Sequence, residues 1–445
     1  AQAFRGSSTF SRSHRNHPSQ ELHISRAACL MARFHVVALL WTASCLRALA
    51  SEREAGRSPQ VDADVTSLLQ RTVDVQAGAG SLHQQRRPSV TEGAPQVPME
   101  TELGLLQDQR VIHIPSVKIN LDLPPEERWV DFYKVHRDKV VAFASKSPPD
   151  MTLQSQVNFT ADQELLAELR GILKAVNDTR VTMDYLLHDE IGYERGTTMG
   201  CTALLAATTN GTVYHGRNLD LPGSINYIRQ IFDATFYRGG QPLFVSTQFI
   251  GNVGVHTGYR IGKYSVAQNT RPGVEDTNLN IQAAKLGAST MSFLIRDTLQ
   301  SVDNFQDAVS KLAEAPVVAP QYFTVAGANP WEGALINRDR LGTASPHPNV
   351  EVLSPTINRW YIAQTNDDTW KPALDDRRPT ILHKLSGTTS RMVTASWVLD
   401  MMMTDLVLNP GTVITWVLEP STGHRSVHFG LDELRGIDQP SVVTR

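Results

Sequence analysis

The sequence predicts an α+β fold, with sheets sandwiched between helices. Three observations carry that expectation. Apolar residues at helical spacing fill much of the region between Val111 and Cys201. After Cys201 the texture changes to short β-type runs with Gly turns, then two helical stretches, more strands, a Met-rich helix and two closing strands. Such a block order suits sheets covered by helices better than alternating βα units. No internal repeat and no linker breaks the chain after Val111, so that part reads as one domain.

In chain order, residues 1–30 lack a starting Met and are polar and basic, and they read as upstream translated sequence. Residues 31–50 have the layout of a secretory signal peptide. Met31-Ala-Arg-Phe-His is a short basic start, Val36–Leu46 an apolar core too short to span a bilayer, and Ala48-Leu-Ala50 a small-residue cleavage site. Residues 51–110 are rich in Gln, Ser, Arg, Gly and Pro, and read as a disordered leader or propeptide. Ile112-His-Ile-Pro and Val117–Leu123 look extended. Trp129, Phe132, Tyr133, His136, Val140 and Phe143 then share one helical face, more as core than as ligand site. A capping box, Thr160-Ala-Asp-Gln163, opens a second helix with a stripe from Leu165 to Val176.

Beyond Cys201, strands are expected at 202–208, 212–215, 231–237, 242–249 and 264–268. Helices follow at about 287–300 and 304–314. Further strands are expected at 322–326, 334–337, 350–353 and 359–365, a helix at about 389–406, and strands at 413–418 and 426–429.

Composition excludes little. The chain is 41% hydrophobic and 20% charged with a net charge of −3, which gives no reason to expect nucleic acid. Of three cysteines, Cys29 and Cys45 precede the expected cleavage site and Cys201 is left alone. A lone cysteine in a secreted chain is inert in a core, linked to another chain, or reactive. Sequons at Asn158, Asn177 and Asn210 fit secretion.

The residues after Cys201 favour reactivity. Asn210-Gly211 is a strong signal for a two-residue hairpin turn. Pairing Thr209 with Thr212 places Asp220 opposite Cys201 on the same face, and Arg217 opposite Leu204 on the other. A bulge at Gly216 would bring Arg217 round. A thiol needs a base or nearby positive charge to become a nucleophile. On this register His215 points away from Cys201 and reads as structural. A second candidate base is the α-amine of Cys201, freed by cleavage after Gly200, with a usual pKa of about 8. Asp220 would orient that amine.

The run Cys201-Thr-Ala-Leu-Leu-Ala…His215-Gly-Arg-Asn-Leu-Asp220 resembles the start of the catalytic subunit in the acid ceramidase and N-acylethanolamine acid amidase family. Further blocks match in order. They are Ile119–Pro125 with Arg128-Trp129, Phe249–Gly258, Glu332-Gly with Ile336–Arg340, Arg359–Pro372, and Asp375-Asp-Arg377-Arg378. The likeness runs from about 117 to 430. It implies an N-terminal-nucleophile hydrolase, an αββα sandwich, with a helical small subunit at 111–200 and a catalytic subunit at 201–445. It also implies self-cleavage before Cys201, then hydrolysis of the N-acyl amide bond of a lipid, in a lysosomal or extracellular setting. Carried over by position, Cys201 is the nucleophile, Arg217 and Asp220 the family's Arg and Asp, Asn366 its oxyanion Asn, and Arg377 its later active-site Arg. No metal and no cofactor is implied. The lipid amide is the expected partner, with a membrane surface or a lipid-presenting protein beside it, and the two subunits are expected to associate. One position departs: the family's glutamate stands here as Thr270, within Asn269-Thr-Arg271. That change predicts altered self-cleavage and pH optimum. Ceramide is the leading substrate; the alternatives are an N-acylethanolamine or an inactive lipid-binding homologue.

Overall fold

A computed structural model describes residues 115–144, 152–196, 200–221, 230–343 and 350–429. The expected signal segment and leader lie outside the described residues. Strand β1 (Ser116–Asn120) comes first, followed by helices α1 (Val130–Val135), α2 (Arg137–Ala144), α3 (Gln163–Val176) and α4 (Met183–Glu190). The single helix expected over Trp129–Phe143 is two, broken at His136. A 3-10 turn occupies Phe159–Asp162 where the capping box was expected, so α3 begins at Gln163.

Strands β2 (Gly200–Ala207), β3 (Val213–Asp220), β4 (Ile231–Arg238), β5 (Gln241–Phe249), β6 (Thr257–Arg260) and β7 (Tyr264–Thr270) follow. Next are α5 (Thr277–Lys285), α6 (Met291–Ser301) and α7 (Phe305–Glu314). Strands β8 (Gln321–Gly327), β9 (Gly333–Asp339), β10 (Gly342–Thr343), β11 (Val350–Val352) and β12 (Tyr361–Gln364) come after them. The last elements are α8 (Arg377–Ser386), α9 (Ala395–Met402), β13 (Thr412–Glu419) and β14 (His424–Phe429). Sequence patterning did not single out α4, α5, α8, β6 or β10. Polar side chains interrupt the apolar period in α5 and α8, and β6 has only four residues.

Two sheets result among the described residues. One runs β1-β4-β5-β6-β7-β8-β9-β10, with β11 also on β9; β1 lies parallel to β4 and the other pairs are antiparallel. The other runs β12-β2-β3-β13-β14. They meet face to face: His215 on β3 hydrogen-bonds Ser265 on β7 (2.8 Å) and Thr324 on β8 (3.0 Å). Helices α6 and α7 pack against the larger sheet, and α8 and α9 against the smaller. The expected α+β sandwich is therefore present.

The β2–β3 hairpin corrects the expected register by one residue. Thr208 N–H donates to the Thr212 carbonyl (2.9 Å) and Gly211 N–H to the Thr208 carbonyl (3.0 Å), so the loop holds three residues. Gly211, at φ +92°, supplies the left-handed residue that such a loop needs. Cys201 pairs with Leu219, Ala203 with Arg217 and Gly200 with Asp220. Because side chains alternate, that shift moves every one of them to the other face. Arg217 and His215 turn to the Cys201 side, and Asp220 turns away from it. No bulge is involved. Gly216 serves packing instead: a Cβ there would meet Val398 Cγ1 at 2.8 Å and Met402 Cγ at 2.9 Å, on α9.

Candidate active site

Cys201 is fully buried on the inner face of β2. Leu219 beside it joins the main core, while Leu204 and Ala206 on the outer face pack under α9. Alternation on one strand thus aims the thiol between the sheets. There Arg217 Nη2 lies 3.4 Å from Cys201 Sγ. The guanidinium is held by the carbonyls of Gln268 (2.5 Å) and His256 (3.2 Å). Burial pushes the Cys201 thiol pKa up, and the Arg217 charge pulls it back only in part.

His215 shares this face but lies four residues further along β3, opposite Leu205. Both its nitrogens are engaged, and burial drives its pKa down to about 3. The imidazole is a neutral strut between the sheets. The structural role expected for it stands, although the expectation that it points away was wrong.

The Cys201 backbone N–H donates to Asn366 Oδ1 at 2.7 Å. Arg377 Nη2 donates to the same oxygen at 3.0 Å. Two donors on one atom fix it as the oxygen of the amide. The Asn366 NH2 group then faces Thr270, donating to its carbonyl (3.0 Å) and its hydroxyl (2.9 Å). Asn366 therefore holds the backbone nitrogen of Cys201.

Arg377 is the first residue of α8, and each of its donor groups is engaged. Nη1 reaches the Cys201 carbonyl (2.9 Å) and Asp220 Oδ2 (3.3 Å). Nε and Nη2 reach Asp375 at 3.0 and 2.7 Å. Asp220 also accepts from Asn409 (2.9 Å) and Thr412 (2.8 Å). Burial raises its pKa, while those two donors and Arg377 oppose the shift. Asp220 is thus an anchor for Arg377 behind the strand, not a partner of the sulfur.

All five site residues expected from sequence come together: Cys201, Arg217, Asp220, Asn366 and Arg377. Sequence reading missed the supporting roles of Thr270, Asp375, Asn409 and Thr412. The Asn409-Pro-Gly411 turn signal before β13 could have flagged the last two. Glu275 and Asp276 do not stand in for the missing glutamate. Glu275 accepts from Gly273 N–H at 3.2 Å, and Asp276 caps α5 through Leu279 N–H.

Two spaces open beside Leu221, at the end of β3. An open cleft of about 500 Å³ is lined by Gly200, Asp220, Leu221, Arg377, Leu406 and Asn409 among others. A small cavity of about 70 Å³ lies between Tyr193, Leu221, Phe249, Asn252 and His256. Among the described residues no helix is long and apolar enough to cross a membrane.

A buried cysteine at the start of a strand in a two-sheet sandwich, with its own nitrogen held by an amide oxygen, fits the N-terminal-nucleophile hydrolase class. Comparison with known proteins narrows the class. A family model described as the β subunit of N-acylethanolamine-hydrolyzing acid amidase matches residues 112–146. The chain is 31% identical over 317 residues to N-acylethanolamine-hydrolyzing acid amidase of Mus musculus, covering 68% of this chain and 85% of that protein. It is 29% identical over 342 residues to acid ceramidase of Bos taurus, covering 70% and 84%. A solved structure of the Caenorhabditis elegans N-acylethanolamine-hydrolyzing acid amidase ortholog aligns with a TM-score of 0.48 at 29% identity, over 52% of this chain and 99% of that one. The chain belongs to the N-acylethanolamine acid amidase and acid ceramidase family.

Proposed function

We propose that the chain cleaves itself before Cys201 and then hydrolyses the N-acyl amide bond of a lipid amide to a fatty acid and an amine. The observation that carries the reading is the double hold on Cys201: its nitrogen on Asn366, its carbonyl on Arg377. In self-cleavage the sulfur attacks the Gly200 carbonyl carbon. The Gly200–Cys201 C–N bond breaks, the thiol proton passes to the departing nitrogen, and water hydrolyses the thioester. The freed α-amine stays beside Asn366 and serves as the base for the second reaction. The sulfur then attacks the lipid amide, the α-amine hands its proton to the leaving amine, and water releases the fatty acid. Arg217 stabilises the sulfur as its negative charge develops.

The lipid amide is of the ceramide or N-acylethanolamine class, the classes named in the chain's relatives. Residues 111–200 and 201–445 stay together after the cut. The β1–β4 pairing supports this, as do the bonds from Glu190 to the backbone of Val253 and Gly254. We place the protein in the secretory pathway, lysosomal or extracellular, working at a membrane surface or on lipid presented by another protein. The sequon asparagines Asn158, Asn177 and Asn210 are all exposed, as that requires.

The test is the chain beside its Cys201→Ala variant. We expect two fragments from the first and one intact chain from the variant. Fatty-acid release from ceramide or N-palmitoylethanolamine, assayed at acidic and neutral pH, should appear only with the cut form. Hydrolysis by a chain that remains intact would sink the mechanism.

A further inference from the structure

We propose that Thr270 is a positioning residue, acting through Asn366 to hold the nitrogen of Cys201. This rests on the reading of Cys201 given above. Asn366 can hold that nitrogen only while its amide plane is fixed. The terminal torsion of an asparagine side chain is broad by nature, so the plane must be set by partners. On the oxygen side the partners are the Cys201 N–H and Arg377. On the nitrogen side they are the carbonyl and the hydroxyl of one residue, Thr270.

Thr270 is well placed for this. It is the last residue of β7, 5% exposed, and its backbone is fixed by pairing with Gln321 on β8. Asn366 follows β12 in the other sheet. The next-door Asn269 donates to the Gln364 and Thr365 carbonyls at 3.1 and 3.2 Å, tying the same two segments together. The end of β7 is thus a rigid support on which the segment carrying Asn366 rests. The two Thr270 oxygens sit on one rigid residue, and they select one orientation of the amide plane. A side chain of the same shape without a hydroxyl would leave the carbonyl alone to do so.

The test compares Thr270→Val with Thr270→Ser, alone and combined with Asn366→Ala. Self-cleavage rate, kcat and KM for amide hydrolysis, and the melting temperature are read for each. One neutral hydrogen bond corresponds to about a two- to tenfold change in rate. We expect Thr270→Val to slow self-cleavage and lower kcat by that factor with KM unchanged. Thr270→Ser should keep most of the wild-type rate. In the Asn366→Ala chain, Thr270→Val should change nothing further, because the path it acts through is gone. Wild-type rates for Thr270→Val would overturn the proposal. So would an equal loss with Ser, or the same fold-loss in the Asn366→Ala background. If the wild-type chain neither cleaves itself nor hydrolyses an amide, the hydrolase reading fails, and Thr270 is judged separately. In Cys201→Ala protein labelled with nitrogen-15 asparagine, Thr270→Val should shift the Asn366 side-chain NH2 resonances. Unchanged resonances would overturn the positioning role.

Discussion

Replacing Arg377 with Lys tests the site most directly. The guanidinium bridges four groups at once: the Cys201 carbonyl (2.9 Å), Asn366 Oδ1 (3.0 Å), Asp220 (3.3 Å) and Asp375 (2.7 Å). A lysine ammonium offers three donors from one point and cannot span that fork. Asp375 and Asp220 would compete for it, and the two contacts that hold the nucleophile would be lost. Hydrogen bonds to a charged group contribute about 1.5–3 kcal/mol each, so losing two costs about 3–6 kcal/mol. At 1.36 kcal/mol per tenfold in rate, self-cleavage should slow at least a hundredfold. The assay is a time course of intact chain against fragments on a denaturing gel, with the melting temperature as a control for folding. The Lys ammonium still neutralises Asp220, so the fold should survive. Self-cleavage within about threefold of wild type, in a folded Arg377→Lys chain, would refute the reasoning.

Two further predictions concern the fold and pH. Gly216→Ala should lower stability by about 1–3 kcal/mol, since the new Cβ meets Val398 and Met402 below 3.0 Å; thermal melting reads it, and an unchanged melting temperature would reject the packing role assigned to Gly216. Glu190 and Glu194 are buried, and desolvation raises their pKa values to about 8 and about 7. A carboxyl with a raised folded pKa loses stability as pH climbs from its unfolded value to its folded one. His215 and His256, both lowered to about 3 by burial, act oppositely, but their gain is complete near pH 6.5. Above pH 6.5 that gain no longer offsets the loss from the two acids. Stability should fall there, by at most about 1.4 kcal/mol per pH unit for each acid still titrating. Glu190→Gln should flatten the decline; melting curves at pH 6.5, 7.2 and 8 that match wild type would count against it.

Much of the fold was legible because its strands and longer helices carry strong periodicity. Leu165 to Val176 reads as a helix at once, and the runs around Thr324 and Val413 read as strands. What escaped were elements whose form is set by their neighbours. Helix α8 is mostly polar, yet it begins where Arg377 must reach Cys201. The hairpin shows the same limit more sharply. Asn210-Gly211 identified the turn but not its length, and one residue of loop decided which face Arg217 occupies. All five site residues could be named from the resemblance. Their division of labour could not, since contacts such as Asn366 to Thr270 span 96 residues of sequence.

The corrected register also accounts for how the site can be both stable and reactive. On the inner face, the cation nearest the sulfur is a guanidinium 3.4 Å away, while the nearest carboxylate, Asp220, points to the opposite face. Arg217 can therefore favour a thiolate as it forms, with Asp220 drawn off toward Arg377, Asn409 and Thr412. Burial still keeps the resting thiol protonated in the uncut chain. A protonated, fully buried sulfur is inert toward outside reagents, but its neighbour along the chain is the Gly200 carbonyl. The first bond within its reach is the one that frees its own base. On the proposed mechanism, desolvation withholds reactivity and the cleavage releases it. Whole-protein thiol labelling should then find Cys201 unreactive in an uncut Arg377→Lys chain and reactive in the cut wild-type enzyme. Equal labelling of both would show that burial is not what restrains it.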